Sequence, residues 1–320
     1  MRKILLTISS VFCLTTATVI GQQDRALTHF IYDKMSFNPA ATGVKPGYCG
    51  TLIYRNQWDK FVGAPNSFVF NAEGNFANFN SGIGLTFAHD AIGFQRTNKF
   101  YLNYAYHLSL EKIGGVLSFG AGLGMINVGW TPQWVTPSGL APDQDPVLGP
   151  NGQKSSGTTF DMNLGIYYSG RQGQNEYWVG ISTTHLTGLE LKSLNFKNQL
   201  HFVVMGGYLI NFGESGWAVE PNVIVQSDFV KTSVNIQALA YWKKKLRFGL
   251  GYRIPESLAI LVGWKQPIGS SMAIDIGYSY DITTNSTLAT YSKGSHEVML
   301  KFCWIKPPKP VEPTRNPRWL

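Results

Sequence analysis

The sequence predicts an all-β protein: a transmembrane antiparallel β-barrel of about 14 strands, with a short N-terminal segment that is periplasmic or plugs the barrel. Three observations support this prediction. The 320-residue chain begins with an export signal. The remainder alternates apolar and polar residues in segments of barrel-strand length, and the connections between them alternate between short and long.

Residues 1–21 have the pattern of a secretory signal peptide. Met1-Arg2-Lys3 is a short basic start, the stretch from Ile4 to Leu14 is mostly apolar, and Gly21 is a small residue at the end. This order is typical of a removable leader. We expect cleavage after Gly21; the alternative is a buried N-terminal helix.

The stretch SSMAIDIGYSYDITTN shows the strand pattern most clearly. Apolar side chains recur at every second position, from Met272 to Tyr280, and Asp275 and Asp281 lie on the other face. Period-2 alternation indicates a strand with two chemically different faces. In a membrane barrel the apolar face contacts lipid and the polar face lines the lumen. The same split is seen around Phe160, Leu258 and Val298.

The chain from 47 to 304 divides into fourteen such segments, an even number as expected for an outer-membrane barrel. The predicted strands are 47–57, 66–75, 81–89, 96–107, 115–127, 157–168, 176–184, 199–212, 216–226, 230–242, 245–253, 256–265, 270–282 and 294–304. Most are close to the ~9–11 residues that cross a bilayer as a tilted strand.

Loop length separates the two ends of the predicted barrel. The gaps 213–215, 243–244 and 266–269 are short and fall on one side, whereas 128–156, 185–198 and 283–293 are long and fall on the other. Short periplasmic turns and long external loops are typical of outer-membrane barrels. A soluble β-sandwich also alternates, but the export signal, the strand number and the loop asymmetry favour the barrel.

The two segments that flank the barrel differ in character. Residues 22–46 contain MSFNPAATGVKPG, in which Asn38-Pro39 is a turn signal, and they either occupy the barrel or form a loose leader. Residues 305–320 form a Pro-rich basic tail that we expect to be extended. The tail either docks to a periplasmic protein or is simply solvated.

The net charge does not indicate a nucleic-acid partner. The formal charge of +8 becomes +6 without Arg2 and Lys3, and the tail carries +3 of that, which leaves +3 for the body. Basic stripes interleaved with stacking aromatics, which mark nucleic-acid binding, are not evident.

The polar strand faces predict a network of charges in the lumen. Seven basic and six acidic residues have inward parity: Arg55, Lys99, Lys231, Arg247, Arg253, Lys265 and Lys301, with Glu73, Asp161, Glu220, Asp275, Asp281 and Glu297. A basic side chain facing lipid at mid-depth costs about 2–4 kcal/mol, so the inward direction is favoured. The near-balance of sign predicts pairing rather than the one-sign ring of a selective pore. Some of these charges are alternatively placed at the rims.

The sequence predicts no catalytic, cofactor-binding or metal-binding residues. His89-Asp90 is interpreted as a loop pair and His296-Glu297 as a structural pair, and no zinc spacing, phosphate loop or nucleophile elbow is found. The glycines of GAGLG at 120–124 are interpreted as a packing feature of the barrel wall.

Two cysteines remain after the signal, and their positions permit a disulfide. Cys49 is near the start of the first predicted strand and Cys303 near the end of the last, which are antiparallel neighbours in a closed barrel. Both have inward parity and lie at the same rim, so an exported chain can join them. The alternative, after a register slip, is two unconnected thiols.

Four stretches together resemble the PorP/SprF family of outer-membrane proteins of the type IX secretion system of Bacteroidetes. They are FNPAATG at 37–43, YRNQWDKFVGAPNS at 54–67, GYSYD at 277–281 and GSHEVMLKF at 294–302. The sequence departs from the usual pattern at Asn66, after GAP, and in NPAAT. The motif positions Arg55, Gln57, Trp58, Gly63, Ala64 and Pro65 are interpreted as barrel architecture in preference to a contact site.

The resemblance implies a non-enzymatic barrel in the outer membrane. It also implies two kinds of protein partner, a secreted surface protein with a type IX C-terminal signal, such as a gliding adhesin, and periplasmic components of the secretion machinery. The alternative functions are an outer-membrane transport channel for a small solute and an outer-membrane hydrolase.

One long loop carries the candidate partner contact. The 128–156 loop contains Trp130, Trp134 and five prolines but few charges. Stiff, aromatic-rich loops lose little entropy on binding, which favours a role in partner contact. The alternative is a loop folded back as a lid.

Overall fold

The computed structural model describes residues 24–110, 114–132, 155–191, 194, 196–285 and 289–305. Their main feature is a closed antiparallel barrel of 14 strands, as predicted. The strands are β1 Tyr48–Asn56, β2 Asn66–Phe76, β3 Ser81–Ile92, β4 Gln95–Leu110, β5 Gly115–Trp130, β6 Ser155–Gln172, β7 Asn175–Thr184, β8 His201–Asn211, β9 Trp217–Ser227, β10 Thr232–Trp242, β11 Leu246–Ile254, β12 Ser257–Ile268, β13 Met272–Thr283 and β14 Ser295–Trp304. A small two-stranded sheet lies between β7 and β8, and its strands, Glu190–Leu191 and Phe196–Lys197, have two residues each.

Each strand pairs with its neighbour in sequence, and β1 closes the barrel against β14. At this seam Tyr48 is opposite Trp304 and Arg55 is opposite Glu297. Closure pairs the outer edges of the first and last strands, which would otherwise be exposed to the bilayer at a high cost in free energy. We call the end with the residue 212–216 and 243–245 turns the turn end, and the opposite end the loop end.

The two faces of the wall follow the predicted alternation. On β14, Val298, Leu300 and Phe302 are exposed on the outer surface, whereas Glu297 and Met299 are buried in the lumen. Rings cluster at the turn-end rim, where Tyr48 stacks on Trp304 with ring centroids 5.7 Å apart. An apolar band edged by aromatic rings matches the lipid-contacting surface of an outer-membrane barrel. Among the described residues, no helix is long and apolar enough to span a membrane.

Several strands are longer than the alternation predicted, among them β4, β5 and β6. The predictions 96–107, 115–127 and 157–168 correspond to Gln95–Leu110, Gly115–Trp130 and Ser155–Gln172. Backbone pairing continues past the lipid-facing alternation to Trp130, which is opposite Gln95 and Ser155. Trp130 is therefore the last residue of a strand and not, as predicted, part of the long loop, because ladder hydrogen bonds do not require an apolar face.

Cys49 and Cys303 are joined by a disulfide across the seam. They are directly opposite in the β1–β14 register, with Cα atoms 4.1 Å apart and a sequence separation of 254 residues. The bond therefore links the two terminal strands of the barrel covalently at the turn end.

We expect this disulfide to be present and to stabilise the seam. Alkylation of the folded protein without reductant should modify neither cysteine, as read by intact mass. The double variant Cys49→Ser/Cys303→Ser should form a barrel that unfolds at lower temperature; loop-closure entropy sets an upper limit of about 5 kcal/mol on the loss. Reductant should not affect that variant. Two alkylated thiols on the wild-type monomer would contradict the assignment.

Candidate functional site: the occupied lumen

Residues 24–46, here called the plug, lie inside the barrel and cross it from end to end. At the loop end, Arg25 Nη1 is 3.6 Å from the Asp90 carboxylate. At the turn end, the Gly43 N–H donates to Glu73 Oε2 at 2.9 Å. Of the two arrangements that the sequence left open for this segment, a periplasmic leader or a plug, the structure has the plug.

The plug is built from single helical turns. They are a 3₁₀ turn Phe30–Tyr32, α1 Lys34–Phe37 and a second 3₁₀ turn Pro39–Ala41. Asn38 caps the last of these by accepting the Ala40 N–H at 2.9 Å, and Pro39 occupies the first helical position, where its missing N–H is harmless. The Asn38 amide also donates to the main-chain oxygens of Ile166 at 3.0 Å and Ile181 at 3.3 Å.

Glycines in the wall make room for this part of the plug. A Cβ at Gly120 would overlap with the backbone of Ala40, one at Gly165 would overlap with the Asn38 side chain, and one at Gly82 would overlap with Thr42. The glycines of GAGLG were interpreted as wall packing, and for Gly120 the partner is the plug itself. Glycine is needed here because the plug backbone lies directly on the strand backbone.

The centre of the lumen is an apolar core. Buried side chains of the plug pack on buried side chains of the wall: Leu27, Phe30, Phe37 and Ala40 against Ile53, Val69, Val203, Met205, Ile224 and Met299. Each is at most 5% exposed. The interior therefore excludes water at this level, as a protein core does.

Thr28 lies at the centre of a buried charge cluster in the loop-end half of the lumen, here called the Thr28 cluster. Arg55 bonds to Asp281 at 2.8 Å and to Glu297 at 3.0 Å. The Thr28 hydroxyl donates to Asp281 at 2.8 Å and accepts from Arg55 at 3.0 Å and Arg253 at 3.2 Å.

The plug backbone completes the coordination of this cluster. The N–H groups of Thr28 and His29 donate to the two oxygens of Glu297 at 2.9 and 2.6 Å, and Gln237 donates to the Thr28 carbonyl at 2.6 Å. Two cations and two carboxylates balance in charge. Buried charges of this kind are tolerated only when paired and hydrogen-bonded, and removing one member leaves the others uncompensated.

A second cluster holds the plug toward the turn end. Arg247 bonds to Asp275 at 2.9 Å and stacks over the Tyr32 ring at 4.3 Å. The Tyr241 hydroxyl donates to Glu220 at 2.6 Å and lies 3.3 Å from the Tyr32 hydroxyl. Nearby, Lys34 Nζ is 3.4 Å from the centroid of the Trp178 ring, a cation–π contact inside the barrel.

The first residue of the plug is held at the loop end. Asp24 pairs with Lys99 and with His185 Nε2, the latter at 3.1 Å, while His185 Nδ1 is 2.5 Å from Asp161. Burial would raise the pKa of Asp24, but Lys99 and His185 outweigh it and hold that pKa well below its usual range. Burial would lower the pKa of His185, but Asp24 and Asp161 outweigh it and raise it.

Asp33 is a carboxylate of the plug that, among the described residues, is buried without an ion pair. Its carboxyl group is buried against Asn71, which donates to Oδ1, and among the residues that the structure describes Oδ2 has no hydrogen-bond partner. Burial raises the pKa of Asp33 to about 7, with Arg25 opposing the shift. The direction of this shift favours the neutral carboxyl group, because burial penalises the charged form.

Eleven of the thirteen residues predicted for the lumen network contact the plug or one another in the lumen. They are Arg55, Glu73, Lys99, Asp161, Glu220, Arg247, Arg253, Asp275, Asp281, Glu297 and Lys301, the last pairing with Glu73 at 3.6 Å. Lys231, in the β9–β10 turn, and Lys265, near the turn end, are exposed instead. Because water reaches both rims, exposing these two lysine side chains there costs little free energy.

Two pairs singled out in the sequence have different surroundings. His89 bonds to Asn98 at 2.7 Å, while the neighbouring Asp90 pairs with Arg25 of the plug. His296 and Glu297 are not a pair, contrary to the prediction: His296 contacts Tyr278 on the outer face at 2.8 Å and Glu297 points into the lumen. Adjacent residues of a strand necessarily face opposite sides.

The remaining motif residues frame the loop end. Gln57 donates to Glu256 at 2.8 Å, and the Gly63 carbonyl accepts the Gly93 N–H at 2.9 Å. Trp130 is 41% exposed at its strand end, and Trp134 lies outside the described residues, as does the tail from 306. Within the described ranges, no group of three or more His, Cys, Asp or Glu is placed to hold a metal ion.

Sequence reasoning missed the plug side of every cluster. Thr28, His29, Asp24 and Lys34 show no periodicity, and His185 follows the last residue of β7. The signals in the plug were the FNPAATG stretch at 37–43 and its turn signal Asn38-Pro39, and neither indicated which wall residues the plug contacts.

We expect the packing of the plug on Gly120 to be sensitive to a single methyl group. Gly120→Ala should displace the plug and cost about 1–3 kcal/mol, since the new Cβ has no space. Gly129→Ala on the same strand is the matched control, because the nearest atom to its Cβ is 3.9 Å away. Protease cleavage of the plug in the purified barrel is the measurement. Equal cleavage of the two variants would contradict the packing argument.

We expect Arg55→Met to destabilise the plugged barrel by about 3–5 kcal/mol, because Asp281 and Glu297 would remain buried without their cation. Arg171→Met is the control: its ion pair with Glu176 is similar in length at 2.5 Å, but the Arg171 side chain is 68% exposed. Such surface pairs contribute about 0–1 kcal/mol. The urea concentration that unfolds each variant measures the difference; a small effect at Arg55 would argue against the cluster.

The fold is similar to that of solved outer-membrane proteins. A TodX deltaS2S3 mutant monoaromatic hydrocarbon channel gives a TM-score of 0.53 at 9% identity, covering 85% of this chain and 94% of that one. A Pseudomonas aeruginosa FadL homologue gives 0.50 at 7% identity, covering 83% and 92%. The Pseudomonas putida toluene transporter TodX gives 0.50 at 10% identity, covering 84% and 91%. At such identities the likeness shows the fold alone.

No curated protein sequence matches the chain. A family model, described as type IX secretion system membrane protein PorP/SprF, matches residues 19–302. That match covers the plug, Cys49 and the barrel wall up to Phe302, and it confirms the resemblance carried by the four motifs. The closed barrel and the match to a family of type IX secretion membrane proteins confirm the predicted location in the outer membrane. The chain belongs to the PorP/SprF family of type IX secretion system membrane proteins.

Proposed function

We propose that this protein is a non-enzymatic scaffold in the outer membrane that helps to deliver or hold a secreted, adhesin-like surface protein. The observation that carries the proposal is the lumen, which the plug crosses from Asp24 to Gly43 with buried, paired contacts at both ends. A barrel with a filled lumen is better suited to holding a partner protein at its rims than to conducting a solute through its interior.

The loop end supports this proposal because its loops are tied together. Asp59 N–H donates to Gly294 at 2.7 Å, the Lys293 N–H donates back to Asp59 at 3.0 Å, and Gly93 binds Gly63. Phe61 and Val62, at the tip of the β1–β2 loop, are 40% and 97% exposed. A surface already fixed in one conformation loses little entropy when it binds a partner.

The proposed partners follow from the family and the sequence. At the loop end, we propose contact between the segment that follows β5, with Trp130 at the end of that strand and Trp134 beyond it, and a secreted surface protein that carries a type IX C-terminal signal. At the turn end, we propose that the basic tail at 305–320 docks to a periplasmic component of the machinery.

The test uses a reporter protein fused to a type IX C-terminal signal and expressed with the barrel. Deletion of residues 136–152 should leave a heat-modifiable barrel in the outer membrane and release the reporter from the cell surface. The matched control is Lys243→Asn/Lys244→Gly in a turn-end hairpin, which should retain the reporter. Normal retention after the loop deletion would overturn the proposed contact.

A transport channel is the second candidate, since two of the similar structures are described as a hydrocarbon channel and a toluene transporter. For this chain such a role requires the plug to move aside. Steady conductance of the intact protein would favour it.

A further inference from the structure

The β10–β11 hairpin carries three consecutive lysines at the turn end of the barrel. Lys243, Lys244 and Lys245 are all exposed. Within the described part of the chain, their ammonium groups make no hydrogen bond and no salt bridge. One tight turn therefore presents three ammonium groups that have no ion pair among the described residues and are available to an anion.

The backbone of this turn makes the lysines unexpected. Lys243 and Lys244 have φ values of 50° and 57°, and the Lys245 N–H closes the turn on the Trp242 carbonyl at 3.0 Å. Lys243 and Lys244 are the two central residues of the four-residue turn from Trp242 to Lys245, and positive φ at both is typical of a type I′ turn, for which Asn-Gly is strongly preferred. The chain instead has lysine at both strained positions, so the turn conformation does not account for them.

The neighbouring aromatic rings place these charges at the lipid surface. Trp242 and Trp217 are on the outer face, 37% and 44% exposed, with ring centroids 6.4 Å apart. Lys243 Nζ is 4.8 Å from the Trp242 ring centroid, so its side chain lies on the outer side of the rim. Tryptophan marks the level of lipid headgroups in membrane proteins.

The surrounding charges keep this part of the rim positive. Lys265 is exposed on the next strand, and its N–H donates to the Lys245 carbonyl at 2.7 Å. The acidic neighbours are Glu214, in the adjacent β8–β9 turn, and Asp275, opposite Lys265 and bound to Arg247. In these two turns and at Lys265, four exposed lysines are therefore accompanied by one exposed carboxylate, that of Glu214.

The other turns at this end that the structure describes in full lack such a cluster. The turns at 77–80 and 269–271 have no charged residue, and Arg171 beside the β6–β7 turn is paired with Glu176. Among the fully described turns that join strands at this end, the unpaired positive charge is therefore concentrated between β9 and β12.

We propose that the β10–β11 turn is a binding site for an anionic phospholipid of the inner leaflet, with Lys243, Lys244 and Lys245 around its phosphate and Trp217 and Trp242 beside its acyl chains. Lipid is favoured over an acidic protein because the three lysines follow the lipid-facing Trp242 by only one to three residues. The turn is too short to carry them far from the membrane surface. Short turns at this end correspond to the periplasmic side of an outer-membrane barrel.

Native mass spectrometry of the full-length barrel with phosphatidylglycerol and phosphatidylethanolamine tests the proposal. The wild-type protein should retain phosphatidylglycerol preferentially. Lys243→Asn/Lys244→Gly gives the turn its preferred residues, so the barrel should unfold at the same or a higher temperature. Its preference for phosphatidylglycerol should fall about 30-fold, since each basic side chain at an anionic surface contributes about a factor of five. Lys243→Arg/Lys244→Arg should retain the preference.

Two competitors identify the source of the anion. Glycerol phosphate should not displace the bound lipid, because it lacks the acyl chains that contact the two tryptophans. A polyglutamate peptide should bind weakly and equally to the wild type and the Asn-Gly variant. The proposal is overturned by unchanged lipid preference in the Asn-Gly variant, by displacement with glycerol phosphate, or by peptide binding that depends on the lysines.

Discussion

Four charged side chains buried around Thr28 hold the barrel wall and the plug together. Arg55 belongs to β1, Arg253 to β11, and their carboxylate partners Asp281 and Glu297 to β13 and β14. The plug supplies the hydroxyl and N–H groups that complete their coordination. Without the plug, this part of the wall would present charges to the lumen with fewer partners, so wall and plug each depend on the other.

The disulfide and the charge cluster act at opposite ends of the same seam. Cys49–Cys303 joins β1 to β14 at the turn end, and Arg55–Glu297 joins the same strands near the loop end. Wall glycines and the apolar core fill the space between. The result is a barrel packed through its length, which favours a role in attachment at its two rims.

The wall could be predicted from the sequence because lipid imposes a strong rule on each residue. Charges such as Asp275 and Lys301 are excluded from the outer face, so parity alone gave their direction. The ends of β4, β5 and β6 could not be predicted, since ladder hydrogen bonding beyond the bilayer requires no alternation. The contacts of the plug could not be predicted either. His29 and Lys34 are positioned by partners distant in sequence, such as Glu297 and Trp178. Single helical turns are also too short to show a hydrophobic periodicity.

The conductance of the purified full-length protein in a planar bilayer tests most directly whether the lumen is closed. The wild-type barrel should show no steady current, whereas a variant that lacks residues 24–43 should insert and conduct. A steady open pore in the wild type, equal to that of the deletion variant, would contradict the closed lumen and favour solute transport.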